Sequence, residues 1–76
     1  MKKNTRRQFA VCLNNTDYPA SLELHKIYQV LPNDDAEQEG DLRVIDESGE
    51  DYLYPRDWFV MIQVPPAVKE SLLQFA

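Results

Sequence analysis

The 76-residue chain has one cysteine, Cys12, and one histidine, His25, the side-chain types from which a thiol nucleophile and its general base are built. Such a pair needs a third group to orient the base, and no acidic partner stands at a recognisable spacing. Cys12 lies in "QFAVCL", among apolar neighbours, where a small buried thiol is the ordinary case. Zinc asks for about four ligands, and one Cys with one His does not make the usual set. Two acidic clusters, Asp34, Asp35, Glu37, Glu39 and Asp46, Glu47, Glu50, Asp51, offer oxygen ligands. Neither has the Asp-x-Asp-x-Asp-Gly order of a calcium loop, so they read as solvated turns. Gly40 and Gly49 are the only glycines, which leaves no glycine-rich loop to cradle a phosphate. The expectation is a protein that is not an enzyme and has no metal or cofactor.

Recognition is the chemistry that remains. Tyr52, Tyr54, Pro55 and Trp58 crowd into "VIDESGEDYLYPRDWFV", and Tyr18 stands in an earlier loop. Tyr and Trp supply large contact areas at low entropic cost and dominate interface energetics. Trp58 is expected to look outward. For Tyr52 and Tyr54 a second reading stands beside the first, in which one of them fills the core.

Length and charge narrow what can surround these residues. A chain of this size makes one small domain, with no room for a second and little for an enzyme-sized cleft. The net charge of −5 is unevenly spread: Lys2, Lys3, Arg6 and Arg7 hold half of the eight basic residues, and residues 8–76 carry a net of −9. A body of that charge repels phosphate backbones, so nucleic acid is not an expected partner. Residues 1–7, with no apolar residue after the first Met, read as a disordered basic tail, and this tail carries the alternative of a nucleic-acid or ribosome-associated protein. The lone cysteine fits a reducing compartment, and the longest apolar run, "WFVMI", is far too short for a membrane span. A soluble cytoplasmic protein is expected, monomeric or weakly homodimeric.

The elements read mostly as strands. "QFAVCL" is closed by the turn-forming "NNTDYP"; a second strand runs from about Lys26 to Leu31 and stops at Pro32. "NDDAEQEG" has Asp34 and Glu37 at capping-box spacing and Gly40 placed to end a single helical turn. "DLRVID" alternates, Glu47 and Ser48 suit a type I turn, Gly49 suits the positive φ of a bulged hairpin, and "EDYLY" returns. "PRDW" is a tight turn before a last strand, Phe59 to Val64, apolar on both faces. In "PPAVKESLLQFA", Val68, Leu72 and Phe75 form one stripe of a short helix expected to cover the outer face of that strand.

Five short strands with a long first connection, a tight hairpin and a turn before the last strand follow the order of an SH3-like barrel. "LYPRDWFV" resembles the SH3 segment in which a proline, two spacers and an aromatic precede the last strand, and "LELHKIYQVL" is similar to the end of the first long SH3 loop and its following strand. The likeness covers roughly Phe9 to Ile62. It implies that Pro55 and Trp58 line a groove for a proline-rich peptide, with Tyr18 as another wall. Two departures stand against the usual ligand: the third strand opens "DLRV" and lacks tandem tryptophans, and the first, "FAVCL", lacks paired tyrosines. The run Lys26 to Pro55 also resembles a set of small uncharacterised bacterial proteins, which brings no activity with it.

The expectation is therefore mainly β: a small five-stranded SH3-like barrel over residues 8–64 and a C-terminal helix over residues 65–76 packed on it. A protein or peptide partner is expected to bind an aromatic surface of Trp58, Pro55, Tyr54 and Tyr18 inside an acidic rim.

Overall fold

The computed structural model describes residues 8–74. Its elements in order are β1 (Gln8–Cys12), β2 (Ile27–Leu31), the one-turn helix α1 (Asp34–Gln38), β3 (Asp41–Ile45), β4 (Asp51–Pro55), a 3₁₀ turn (Arg56–Trp58), β5 (Phe59–Ile62) and the helix α2 (Pro66–Gln74). All strands join one antiparallel sheet in the order β4-β3-β2-β1-β5. The sheet is mainly a meander, with β5 brought back beside β1. It is not closed: β4 and β5 are its two edges, and the pairing that a complete barrel needs is not made between them.

The sheet is nonetheless curled. Laid flat, its two edges would lie roughly 19 Å apart, four strand spacings. Only three residues separate Pro55 from Phe59, and an extended chain of that length reaches about 14 Å. The Tyr54 and Phe59 rings, one from each edge strand, have centroids 6.3 Å apart. The short link therefore bends the sheet around one face, and that face holds the core.

Strand alternation sorts the side chains. Ala10 and Cys12 of β1, Tyr28 and Val30 of β2, Val44 of β3, Tyr54 and Phe59 all point inward and are buried, and Leu22 of the long β1–β2 loop plugs the same core. Phe9 is buried on the other face, beside Ile27 and Ile45, where Leu72 of α2 joins a hollow of about 230 Å³. Val68 remains exposed; α2 borders that hollow through Leu72 and a second one, with Phe9, Met61 and Ile62, through Lys69. The described part of the helix reaches the last strand through Lys69 while Val60 and Met61 stay exposed; Phe75, the end of the predicted stripe, lies outside the described residues, as does the basic tail 1–7. The last strand is also shorter than expected, ending at Ile62.

Two local details differ from the sequence reading. Asn33, not Asp34, caps α1, its side-chain oxygen accepting the Ala36 N–H at 3.0 Å. This shift puts Ala36 where a capping box needs Glu, so the box is not formed. The second detail is a bulge at the start of β2. The Cys12 N–H donates to the Lys26 carbonyl and the Cys12 carbonyl accepts from the His25 N–H, with His25 at φ 68°. A non-glycine residue carries the left-handed conformation that such a bulge demands. The β3–β4 hairpin does what its sequence suggested: Gly49, at φ 85°, donates to the Asp46 carbonyl, and the Asp46 N–H donates to Glu50.

Candidate interaction surface

The aromatic residues, spread over forty-one sequence positions from Tyr18 to Trp58, meet in one cluster. Tyr18 lies at its centre, 5.3 Å from Tyr54 in edge-to-face geometry, 5.8 Å from Trp58 and 6.3 Å from Tyr52, all between ring centroids. Tyr54 and Trp58 are stacked at 6.3 Å, and Tyr52 lies 5.3 Å from Tyr54. Such offset and edge-on pairs each add about 0.5–1.5 kcal/mol beyond simple burial. The cluster is a coherent patch.

Exposure divides its members. Tyr52 is 54% exposed and Tyr18 37%, Trp58 is partly buried, and Tyr54 is only 1% exposed. Of the two readings the sequence leaves for Tyr54, recognition surface or core, the burial fits the core: its ring is the floor on which Tyr18, Tyr52 and Trp58 rest. β4 alternation explains this: Tyr54 pairs with the buried Leu42 on the inward face, whereas Tyr52, also inward, lies nearer the hairpin end, where cover runs out. Pro55 is exposed at the end of β4 and starts the 3₁₀ turn that carries Trp58. By the same alternation its ring is set on the face opposite Tyr54. It stands beside Leu53, itself exposed.

What holds the cluster in place is the acidic hairpin turn. The Tyr54 hydroxyl donates to Asp46 Oδ2 at 2.5 Å, and the Tyr28 hydroxyl donates to Glu47. Lys26 Nζ lies 2.6 Å from the same Glu47 oxygen, the Glu47 N–H donates to the Ser21 carbonyl, and the Glu23 N–H donates to the Tyr28 hydroxyl. The turn thus grips the loop that presents Tyr18. Ser48 adds both its N–H and hydroxyl to Asp46 Oδ1. In the sequence these carboxylates read as solvated turn residues; nothing in their spacing marks them as acceptors for two buried phenols.

The electrostatics follow. Burial tends to raise the Asp46 carboxyl pKa, but the bonds from Ser48 and Tyr54 outweigh it and the net shift is downward. The Lys26 and Tyr28 bonds pull Glu47 down as well. Burial, and then the bond to Asp46, push the Tyr54 phenol up to about 12; burial and the bond to Glu47 raise Tyr28 further.

The residues that raised the question of catalysis are separated. Cys12 is fully buried, its Sγ donating to the Asn14 carbonyl at 3.3 Å, and burial raises its pKa. His25 is exposed, and its bond to Cys12 is made by backbone atoms. Among the described residues no group of three or more His, Cys, Asp or Glu side chains is arranged to hold a metal. No helix among them is long and apolar enough to cross a membrane.

Compared with models of known protein families, with curated proteins and with solved structures, the chain matches none.

Proposed function

We propose that the chain is a non-catalytic protein-interaction module or accessory subunit, its curled sheet an SH3-like barrel left open between β4 and β5. A protein or peptide partner docks on Tyr18, Tyr52 and Trp58, with Pro55 and Leu53 at the border. The observation that carries this reading is that three partly exposed rings, drawn from the long loop, β4 and the 3₁₀ turn, converge on a buried fourth. A core needs the buried ring; it does not need three more above it at the surface. Rigid aromatic groups held by their neighbours lose little entropy on binding.

The partner is basic. Residues 8–74 contain thirteen acidic and four basic side chains, and Asp17 and Asp57 directly adjoin Tyr18 and Trp58 in the chain. Such a field steers a cationic segment to the rings, where Lys or Arg also gains cation–π attraction.

The test is an affinity capture from nuclease-treated lysate with wild type, a folded Trp58→Ala variant and a Val60→Ala control. Retention by wild type and control, loss with Trp58→Ala, and elution by salt are expected. Equal retention by all three baits removes Trp58 from the site. Retention that survives Trp58→Ala and disappears on deletion of residues 1–7 transfers the function to the basic tail and nucleic acid.

A further inference from the structure

β5 pairs with β1 on one side and with nothing on the other among the described residues. The ladder tells which of its backbone groups face outward. The Leu13 N–H donates to the Trp58 carbonyl at 2.7 Å, and from there Cys12 stands opposite Phe59, Val11 opposite Val60 and Ala10 opposite Met61. Antiparallel pairs alternate between bonded and non-bonded, so Val60 and Ile62 direct N–H and C=O to β1. Met61 directs both away from it, as does Gln63 one step on. The Phe59 carbonyl shares this direction, while its N–H is held by Arg56.

The side chains along this edge are bare as well. Val60 is 49% and Met61 40% exposed, on opposite faces. Natural edges are blunted by a lysine, an internal proline, a bulge or a covering element. β5 has no charge or proline within it, and α2, whose Lys69 borders a hollow with Met61 and Ile62, still leaves Val60 and Met61 exposed. No charged residue occurs from Trp58 to Val68, in a body of net charge −9.

We propose that β5 pairs antiparallel with the β5 of a second copy of this chain, across a twofold axis at Met61, so that one sheet runs through both molecules. The axis places Met61 opposite itself: each Met61 N–H donates to the other's carbonyl, and each Gln63 N–H donates to the Phe59 carbonyl across the axis. The free groups of this edge are self-complementary about that point. Charge selects the occupant. Two bodies of like sign approach with least opposition along their one long uncharged stretch, whereas a basic partner gains nothing there and is drawn to the acidic faces. An edge this short buries less than the roughly 1,600 Å² of a standard interface, so the dimer is weak and forms at high concentration. It uses the backbone of β5 and does not depend on the aromatic surface.

Sedimentation velocity on the full chain, over a concentration series at low and at high salt, tests this. Wild type is expected to dimerise, and more strongly as salt screens the like charges. Met61→Lys, which sets two ammonium groups face to face, weakens the dimer roughly tenfold or more, while Tyr52→Lys on the opposite edge leaves it unchanged. Met61→Cys reads the geometry directly, and decides the matter should Met61→Lys not fold: paired Cα atoms lie within disulfide reach, so mild oxidation links two chains. Leu53→Cys on β4 does not link. A wild type that stays monomeric throughout, a dimer that survives Met61→Lys, or cross-linking at Leu53→Cys but not at Met61→Cys overturns the proposal.

Discussion

At the β4 edge the Tyr54 ring is buried beneath Tyr18 and Trp58 and its hydroxyl is held by Asp46, whereas at the β5 edge Val60 and Met61 meet solvent and Met61 has outward N–H and C=O groups. Both edges border one curled sheet of similar strands. They differ because the long β1–β2 loop lays Tyr18 against Tyr52 and Tyr54 of β4 and is tied to the hairpin turn by the Glu47 N–H on the Ser21 carbonyl, while α2 borders the sheet through Lys69 and Leu72. An edge of this sheet is finished by what the loops bring to it. The β4 edge, where exposed Tyr52 and Leu53 flank the buried Tyr54, therefore presents side chains in fixed positions, suited to selecting a partner, and the β5 edge presents backbone, suited to extending the sheet.

The comparison breaks most visibly under truncation. Tyr54→Ala removes the floor of the aromatic cluster and is expected to cost about 3–5 kcal/mol in urea unfolding, as for other large buried aromatics. Val60→Ala at the other edge is expected to stay below about 1 kcal/mol. Similar losses at the two positions would mean that β5 is covered in solution.

Removing a single hydroxyl is a finer probe. Tyr28→Phe leaves the Glu23 N–H and the Glu47 carboxylate without the phenol, an expected loss of about 1–3 kcal/mol. Amide exchange at Glu47, whose N–H joins the loop to the hairpin, should accelerate with it. Unchanged exchange would show that the loop is held by its apolar contacts alone.

The pH dependence follows from the same bonds. Asp46 and Glu47 have folded pKa values below their ordinary 3.8 and 4.5, so the stability they contribute is complete above those values and is lost as pH falls through the folded pKa values. Tyr54 is shifted the opposite way, from 10.0 to about 12, so its contribution is complete below pH 10 and is lost as pH rises towards 12. In stability measured against pH, Tyr54→Phe should lessen the alkaline decline while that of Tyr28 persists, and Asp46→Asn should lessen the acid one. A pH profile that these substitutions leave unaltered would remove the hairpin from its role as anchor.

The smallest effect lies at the bulge. His25 holds φ 68°, where glycine carries no penalty, and it is exposed. His25→Gly is expected to be neutral or stabilising by up to about 1 kcal/mol in thermal unfolding, and His25→Val destabilising. Loss of stability with glycine would assign the imidazole a contact of its own.

The chain's local chemistry reached quite far. Turn and breaker residues predicted each strand to within about two positions, because Asn, Asp, Pro and Gly act on their own backbone. Gly49 announced the bulged hairpin, and the alternation of "DLRV" announced which side of β3 is buried. The cap at Asn33 is masked in the sequence by the more familiar spacing of Asp34 and Glu37. The separation of Cys12 from His25 was half legible: the apolar neighbours of Cys12 foretold its burial, but not that the two residues share a backbone bond.

Tertiary structure decided the rest, for reasons of distance along the chain. That Tyr18 meets Trp58 and that Tyr54 lies beneath the surface it helps to shape follow from the curl imposed by a three-residue link between β4 and β5, and that Asp46 and Glu47 receive buried phenols follows from the pairing of β3 with β4 and β2. A period-two pattern says that Tyr52 and Tyr54 share a face; only the packing of Tyr18, Trp58 and Phe59 around Tyr54, against Tyr18 alone of these beside Tyr52, determines which of them is core. The apolar pattern of β5 likewise asks for cover on both faces, and whether that cover comes is settled by where α2 lands.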